Sequence, residues 1–119
     1  MATFNQCQFI GRLGKDPELQ VTSNGKPVTK FSLAVDQAKD QPPMWLNVTT
    51  WDKLAEFVEQ YAHKGALVFV QGRLVQRPYT DKKQVDRIAV EIIATIVQLL
   101  EKRQEDIPAE VGEEPAPDK

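Results

Sequence analysis

Cysteine is almost absent. Cys7 is the only one in 119 residues, which excludes an intrachain disulfide. It sits in an apolar alternation and reads as a small core residue. Histidine is as scarce. His63 stands alone, near the end of a helical pattern and with no Cys, His or acidic cluster around it, so it reads as a surface residue rather than a ligand or a base. The chain also lacks a glycine-rich phosphate loop and a nucleophile with a supporting histidine. These absences speak against an enzyme, and no metal or cofactor is expected. No apolar run approaches membrane-spanning length, and no basic-then-apolar leader opens the sequence, so the expectation is a cytoplasmic chain with no membrane partner. A strong charge of one sign is missing too, since 15 Lys and Arg face 17 Asp and Glu for a net charge of -2.

That balance hides an asymmetry. Residues 1–100 carry 12 Lys and Arg against 10 Asp and Glu, whereas residues 101–119 carry 3 against 7. The body is mildly basic and the end is acidic. The end also holds Pro108, Pro115 and Pro117 with little apolar content, the composition of a disordered segment. The expected domain organisation is therefore one folded unit over 1–100 and a disordered acidic tail over 101–119. Such tails are often interaction segments.

Within the body, alternation of side chains marks strands. Residues 4–13 put Cys7, Phe9, Gly11 and Leu13 on one face, with Gln8, Ile10 and Arg12 on the other. Asp16-Pro17-Glu18 is a turn. A short strand over 19–22 meets Asn24-Gly25, a hairpin signal because both residues tolerate positive φ. Residues 28–35 return, with Phe31, Leu33 and Val35 on the inner face. Residues 36–43 form a polar loop. The segment Trp45-Leu46-Asn47-Val48-Thr49-Thr50-Trp51 follows. Its inner face is Leu46, Val48 and Thr50, and its outer face is Trp45, Asn47, Thr49 and Trp51. Asp52 is placed to cap a helix over 53–64 with Leu54, Phe57, Val58 and Tyr61 as its stripe, and Gly65 is placed to stop it. Residues 66–75 form a long strand with a bend at Gly72. Beyond it Arg73, Val75, Arg77 and Tyr79 share a face. Residues 80–84 read as a flexible basic hairpin loop, and 85–100 as the last strand. The fold class is mainly β: a five-stranded OB-fold barrel with one helix between strands 3 and 4.

A strand face reading Trp-Asn-Thr-Trp is unusual for a core, because the buried amide would need partners. It is natural for a half-exposed face that stacks flat groups. Trp45, Trp51 and Tyr79 supply rings, while Lys53, Arg73, Arg77 and Lys30 supply positive charge nearby. Lys26, Lys82 and Lys83 lie on adjoining loops. This mixture suits single-stranded nucleic acid. Rings recover roughly 1–3 kcal/mol per base without regard to sequence, and cations neutralise phosphates. Taken singly, Trp51 is as well explained by covering the helix start, and Tyr79 by hairpin packing.

Ordered blocks along residues 3–100 resemble the bacterial single-stranded DNA-binding protein family. The carriers are Ile10-Gly11-Arg12-Leu13-Gly14-Lys15-Asp16-Pro17-Glu18-Leu19, Asn24-Gly25, Phe31-Ser32-Leu33-Ala34-Val35, Trp45-Leu46-Asn47-Val48, Trp51-Asp52-Lys53-Leu54-Ala55-Glu56, Lys64-Gly65 and Val70-Gln71-Gly72-Arg73-Leu74. The resemblance implies an OB-fold homotetramer that wraps single-stranded DNA during replication, recombination and repair, in the cytoplasm at the nucleoid. It makes Trp45, Trp51 and Tyr79 base-stacking residues and puts Lys53 and Arg77 near the DNA path. Two departures stand out. Residues 36–43 lack the aromatic that many members carry there, with Lys39 at about its place. The family's acidic tail ends in a hydrophobic-Pro-Phe motif that docks replication and repair proteins, which makes 101–119 the candidate docking segment. Here the sequence ends Pro115-Ala116-Pro117-Asp118-Lys119, and the similar Glu105-Asp106-Ile107-Pro108 is internal and without Phe. Two other uses of such a barrel are weaker expectations. An assembly module resembling a primosomal accessory protein would act through protein contacts. An OB-fold nuclease would need a carboxylate metal site, whereas Asp16 with Glu18 and Asp81 with Asp86 read as turn acids.

Overall fold

The computed structural model describes residues 2–101. In chain order they form β1 (Cys7–Leu13), β2 (Glu18–Val21), β3 (Pro27–Val35), β4 (Met44–Trp51), α1 (Asp52–Tyr61), β5 (Leu67–Thr80) and β6 (Asp86–Leu99). The hydrogen-bonded order is β1-β5-β6-β4-β3-β2, with β1 returning to β3. Five strands thus make a ring, and β2 extends it outward from β3. This is the Greek-key order of the OB-fold, with the helix after the third strand of the ring. The ring is only partly closed. One seam is Arg12↔Ala34 and Leu13↔Leu33 between β1 and β3. The other is Val48↔Ile92 and Thr49↔Ile93, a short parallel pairing of β4 with β6.

Alternation decides what fills the ring. Gly11 and Leu13 of β1, Phe31 and Leu33 of β3, and Val68 and Val70 of β5 are buried, while their neighbours Arg12 and Lys30 are exposed and Phe69 and Gln71 half-buried. Helix α1 closes one end with Ala55 and Val58, both fully buried. Two threonines tie it down. The Thr29 hydroxyl donates to the Ala55 carbonyl at 2.9 Å, and the Thr50 hydroxyl donates to the Thr29 carbonyl at 3.1 Å. Both side chains are fully buried, and each hydroxyl has an acceptor, so neither leaves an unpaid desolvation cost.

The helix ends differ from the sequence expectation. Trp51, in extended conformation, occupies the cap position, and no side chain caps the helix. Asp52 is instead the first helical residue, at φ 59°. Strand β4 runs directly into α1, so the sharp change of direction falls on Asp52. Aspartate tolerates this left-handed conformation better than most residues. The helix stops at Tyr61, before Gly65. Gly65, at φ 85°, serves the next turn, where its N–H donates to the Leu13 carbonyl at 2.9 Å. Tyr61, expected in the buried stripe, is 49% exposed and lies against Phe57, with ring centroids 5.1 Å apart. The first strand starts at Cys7, and Phe4 is exposed. Cys7 is half-buried, and its thiol is pushed above the ordinary value by burial.

Strands β5 and β6 are each 14 residues long and outrun the ring. A register irregularity between Gln71 and Gly72 marks the bend, as the glycine predicted. Past it the two strands continue as an arm. The arm's tip is a tight turn rather than a loose loop. The Asp81 carboxylate accepts the backbone N–H of Lys83 and Val85 and the Arg87 guanidinium, at 2.9, 3.0 and 2.8 Å. The Arg87 hydrogen bond, helped by the Val85 N–H, holds the Asp81 carboxyl below its usual range.

At Gly72 a side chain has no room. A Cβ there would meet the Ile93 carbonyl oxygen and the Ala94 backbone. Overpacking of this kind typically costs about 1–3 kcal/mol. Gly72→Ala should therefore cost about 2 kcal/mol of stability, seen as a lower urea midpoint. An unchanged midpoint would show that the β5–β6 spacing can relax there.

Candidate nucleic-acid interface

Paired residues in neighbouring strands face the same way, so register shows which side chains share a surface. On β4, Trp45, Asn47, Thr49 and Trp51 point outward as the alternation predicts. Their partners on β3 are Ala34, Ser32, Lys30 and Val28. The parallel seam then joins Thr49 to Ile93, and Ile93 pairs with Arg73. Lys30, Thr49, Ile93 and Arg73 thus form one row across four strands. At about 4.8 Å per strand, Lys30 and Arg73 lie roughly 14 Å apart along it. The row is a trough. Thr49 is buried at its floor, Ile93 is half-buried, and the two cations stand exposed at its sides. Thr49 was expected to be half-exposed. It is covered because β3 and β6 flank it on both sides.

The aromatics bracket this row. Trp51 is half-buried, and its cross-strand neighbour Val28 is buried. The indole lines a groove of about 590 Å³ with Arg73, Val75, Arg77 and Ile93 on one side, and Asn24 and Lys26 of the β2–β3 turn on the other. Trp45 is 57% exposed at the opposite end of β4. It lies over Gly14 and Ser32, where a Cβ on Gly14 would meet its ring. Six residue steps apart, the two indoles are roughly 20 Å from each other along the strand. Tyr79 is 48% exposed on the arm, on the face of Arg73 and Arg77 and opposite Arg87. It extends the surface beyond the groove that Trp51 lines.

A second groove, of about 410 Å³, lies beside the first. Lys30, Ser32, Asn47 and Thr49 line it, together with Lys15, Asp16, Glu18 and Glu91. Its charge is mixed rather than basic. The Asp16 carboxylate is already used, accepting the Lys64 backbone N–H at 2.7 Å. This fixes the Asp-Pro-Glu turn as structural. Glu91 forms an ion pair with Arg77 at 3.0 Å. The hydrogen bond and the charge of Glu91 both hold the Arg77 guanidinium above its ordinary pKa.

Six of the seven predicted site residues therefore share one outward face: Lys30, Trp45, Trp51, Arg73, Arg77 and Tyr79. Lys53 is exposed on the first turn of α1 and lines neither groove. Asp52, which precedes it, lines the groove with Trp51. Sequence reasoning missed Glu91. The signal was available, since alternation places Glu91 and Ile93 on one face of β6. Its meeting with Arg77 needed the hairpin register. Among the described residues no group of three His, Cys, Asp or Glu could hold a metal ion.

A model of the single-strand binding protein family matches residues 4–100. The chain belongs to the single-strand binding protein family. Similar proteins within it include the single-stranded DNA-binding protein of Neisseria meningitidis serogroup B, 36% identical over 111 residues, which cover 87% of this chain and 64% of that one. The single-stranded DNA-binding protein of Thermotoga maritima is 35% identical over 121 residues, covering 96% of this chain and 86% of its own. Single-stranded DNA-binding protein B of Bacillus subtilis is 35% identical over 105 residues, covering 84% and 93%. The match spans less than two thirds of the Neisseria protein's length but most of the other two. The family match stops at residue 100, at the end of the ring and arm.

Proposed function

We propose that this chain binds single-stranded DNA with little sequence preference, without catalysing a reaction, and protects exposed strands in replication, recombination and repair. One observation carries the reading: the row from Lys30 through Thr49 and Ile93 to Arg73, with Trp45, Trp51 and Tyr79 on the same face. Its relatives' names agree with it. Bases lie on the exposed rings, and phosphates meet Lys30, Arg73, Arg77 and Lys26. Nothing on this face forms a fixed array of donors and acceptors for base edges, so recognition rests on stacking and charge. The proposed setting is the cytoplasm, at the nucleoid.

The chain also assembles with itself in this proposal, as a tetramer, in keeping with the family resemblance. The surface suited to it is the outer side of β1, the first half of β5 and the second half of β6. Ile10 of β1 and Ile96 of β6 are 54% and 41% exposed there; Ile10 pairs with Phe69, and Gln71 lies between Gln8 and Ile96. Residues 1–100 form the binding domain. Residues 102–119, most of the proposed tail and docking segment, lie outside the described residues. Its first residue, Glu101, is described. Its carboxylate accepts two bonds from Arg12 of β1, at 2.9 and 3.0 Å, which hold its pKa below the usual value.

Two measurements test this. Replacing both Trp45 and Trp51 with Ala should weaken binding to an oligo-thymidine strand at least thirtyfold, since each stacked base is worth roughly 1–3 kcal/mol. The circular dichroism spectrum should stay native, because neither side chain lies in the core. Unchanged affinity in a folded double variant would remove the stacking role. Native mass measurement should return four chains. A monomer at micromolar concentration would remove the assembly.

A further inference from the structure

The ion pair between Arg77 and Glu91 stands where the proposed function has least use for it. Arg77 lines the groove with Trp51 and Arg73, and Glu91 lines the neighbouring groove with Lys30 and Asn47. The pair sits between them, on the path from one groove to the other. Its two members are held unequally. The Glu91 side chain is 15% exposed and that of Arg77 is 59% exposed. Glu91 is opposite Val75 on the arm, one step along from the pair Arg73↔Ile93 and one step before Arg77↔Ala89. It is thus flanked by Arg73 and Arg77, yet it bonds only Arg77. Among the described residues, Arg73 has no ion-pair partner within reach.

We propose that Glu91 is a resident competitor for Arg77 and lowers the affinity of this surface for single-stranded DNA. The proposal rests on the single-stranded DNA reading above. A phosphate arriving at Arg77 finds a carboxylate already in place. It must exchange one ion pair for another. Arg77 is exposed enough to swing away, while Glu91 is largely buried and stays. The face therefore carries fewer effective cations than its count of Lys and Arg indicates. Binding is moderated at this point, so a bound strand can leave or slide past the ridge between the grooves. Arg73, which has nothing to release, is the primary phosphate contact of the arm.

The test uses the full chain and a dye-labelled oligo-thymidine strand, followed by anisotropy across a range of salt. Glu91→Gln should bind roughly two- to fivefold tighter at low salt, the worth of an exposed ion pair. The slope of log affinity against log salt should steepen by about 0.7, one added phosphate contact on a single strand. In an Arg77→Met background the same Glu91→Gln change should give no gain. An absent gain in the first background overturns the proposal. So does an equal gain in both, since the carboxylate would then act by general repulsion and not through Arg77. Failure of the wild-type chain to bind would instead overturn the function it rests on. Should Glu91→Gln fail to fold, Arg73→Met and Arg77→Met give the second reading. Arg73→Met must lose more affinity than Arg77→Met, and the reverse order overturns the proposal.

Discussion

Two backbone pairs, Val48↔Ile92 and Thr49↔Ile93, hold together everything that matters for this surface. They are the parallel seam between β4 and β6. On one side lies the β2–β3–β4 meander with both tryptophans and Lys30. On the other lies the β5–β6 hairpin with Arg73, Arg77 and Tyr79. The order of strands in the chain does not bring these groups together. The seam does, and it fixes their phase as well. Strand faces alternate with a period of two, so a slip of one residue would turn Thr49 and its row inward and break the surface. Because only two pairs make the seam, its hold depends on what packs behind it. Val48 and Ile92 are each 1% exposed and belong to the core. The hydrophobic interior therefore sets the geometry of the exterior face.

That arrangement separates two duties that are often in conflict. Inward residues of β3, β4 and β6 make a dry core with paired threonine hydroxyls. Outward residues of the same strands are left free to be large, flat or charged. The surface is not uniformly positive. Asp16 is committed to the Lys64 backbone, Glu91 to Arg77 and Asp81 to the arm's tip. Acidic groups near the path thus build the scaffold or temper its charge. A strand bound here would rest on rings more than on a continuous basic strip, and stacking is the contribution that salt screens least.

Much of this was legible in the sequence because alternation is a local property. Trp45, Asn47 and Trp51 were correctly placed opposite Leu46, Val48 and Thr50, and Gly72 was correctly read as the bend. The resemblance placed these elements in one family, and the match over residues 4–100 bears that out. What was not legible depended on partners far along the chain. Thr49 looked half-exposed because its own strand cannot show that β6 covers it. Asp52 looked like a cap because sequence cannot show that β4 leaves no residue in which to turn. Glu91 looked like any strand acid until the β5–β6 register brought it to Arg77.

The central claim is that the outward tryptophans of β4 are stacking groups. Intrinsic tryptophan fluorescence reads it directly, titrated with an oligo-thymidine strand at low and high salt, with a duplex of equal length as control. Strong quenching by the single strand alone, reached at higher DNA concentration as salt rises, is the predicted result. Absence of quenching with either nucleic acid would contradict it and leave Trp45 and Trp51 as surface packing.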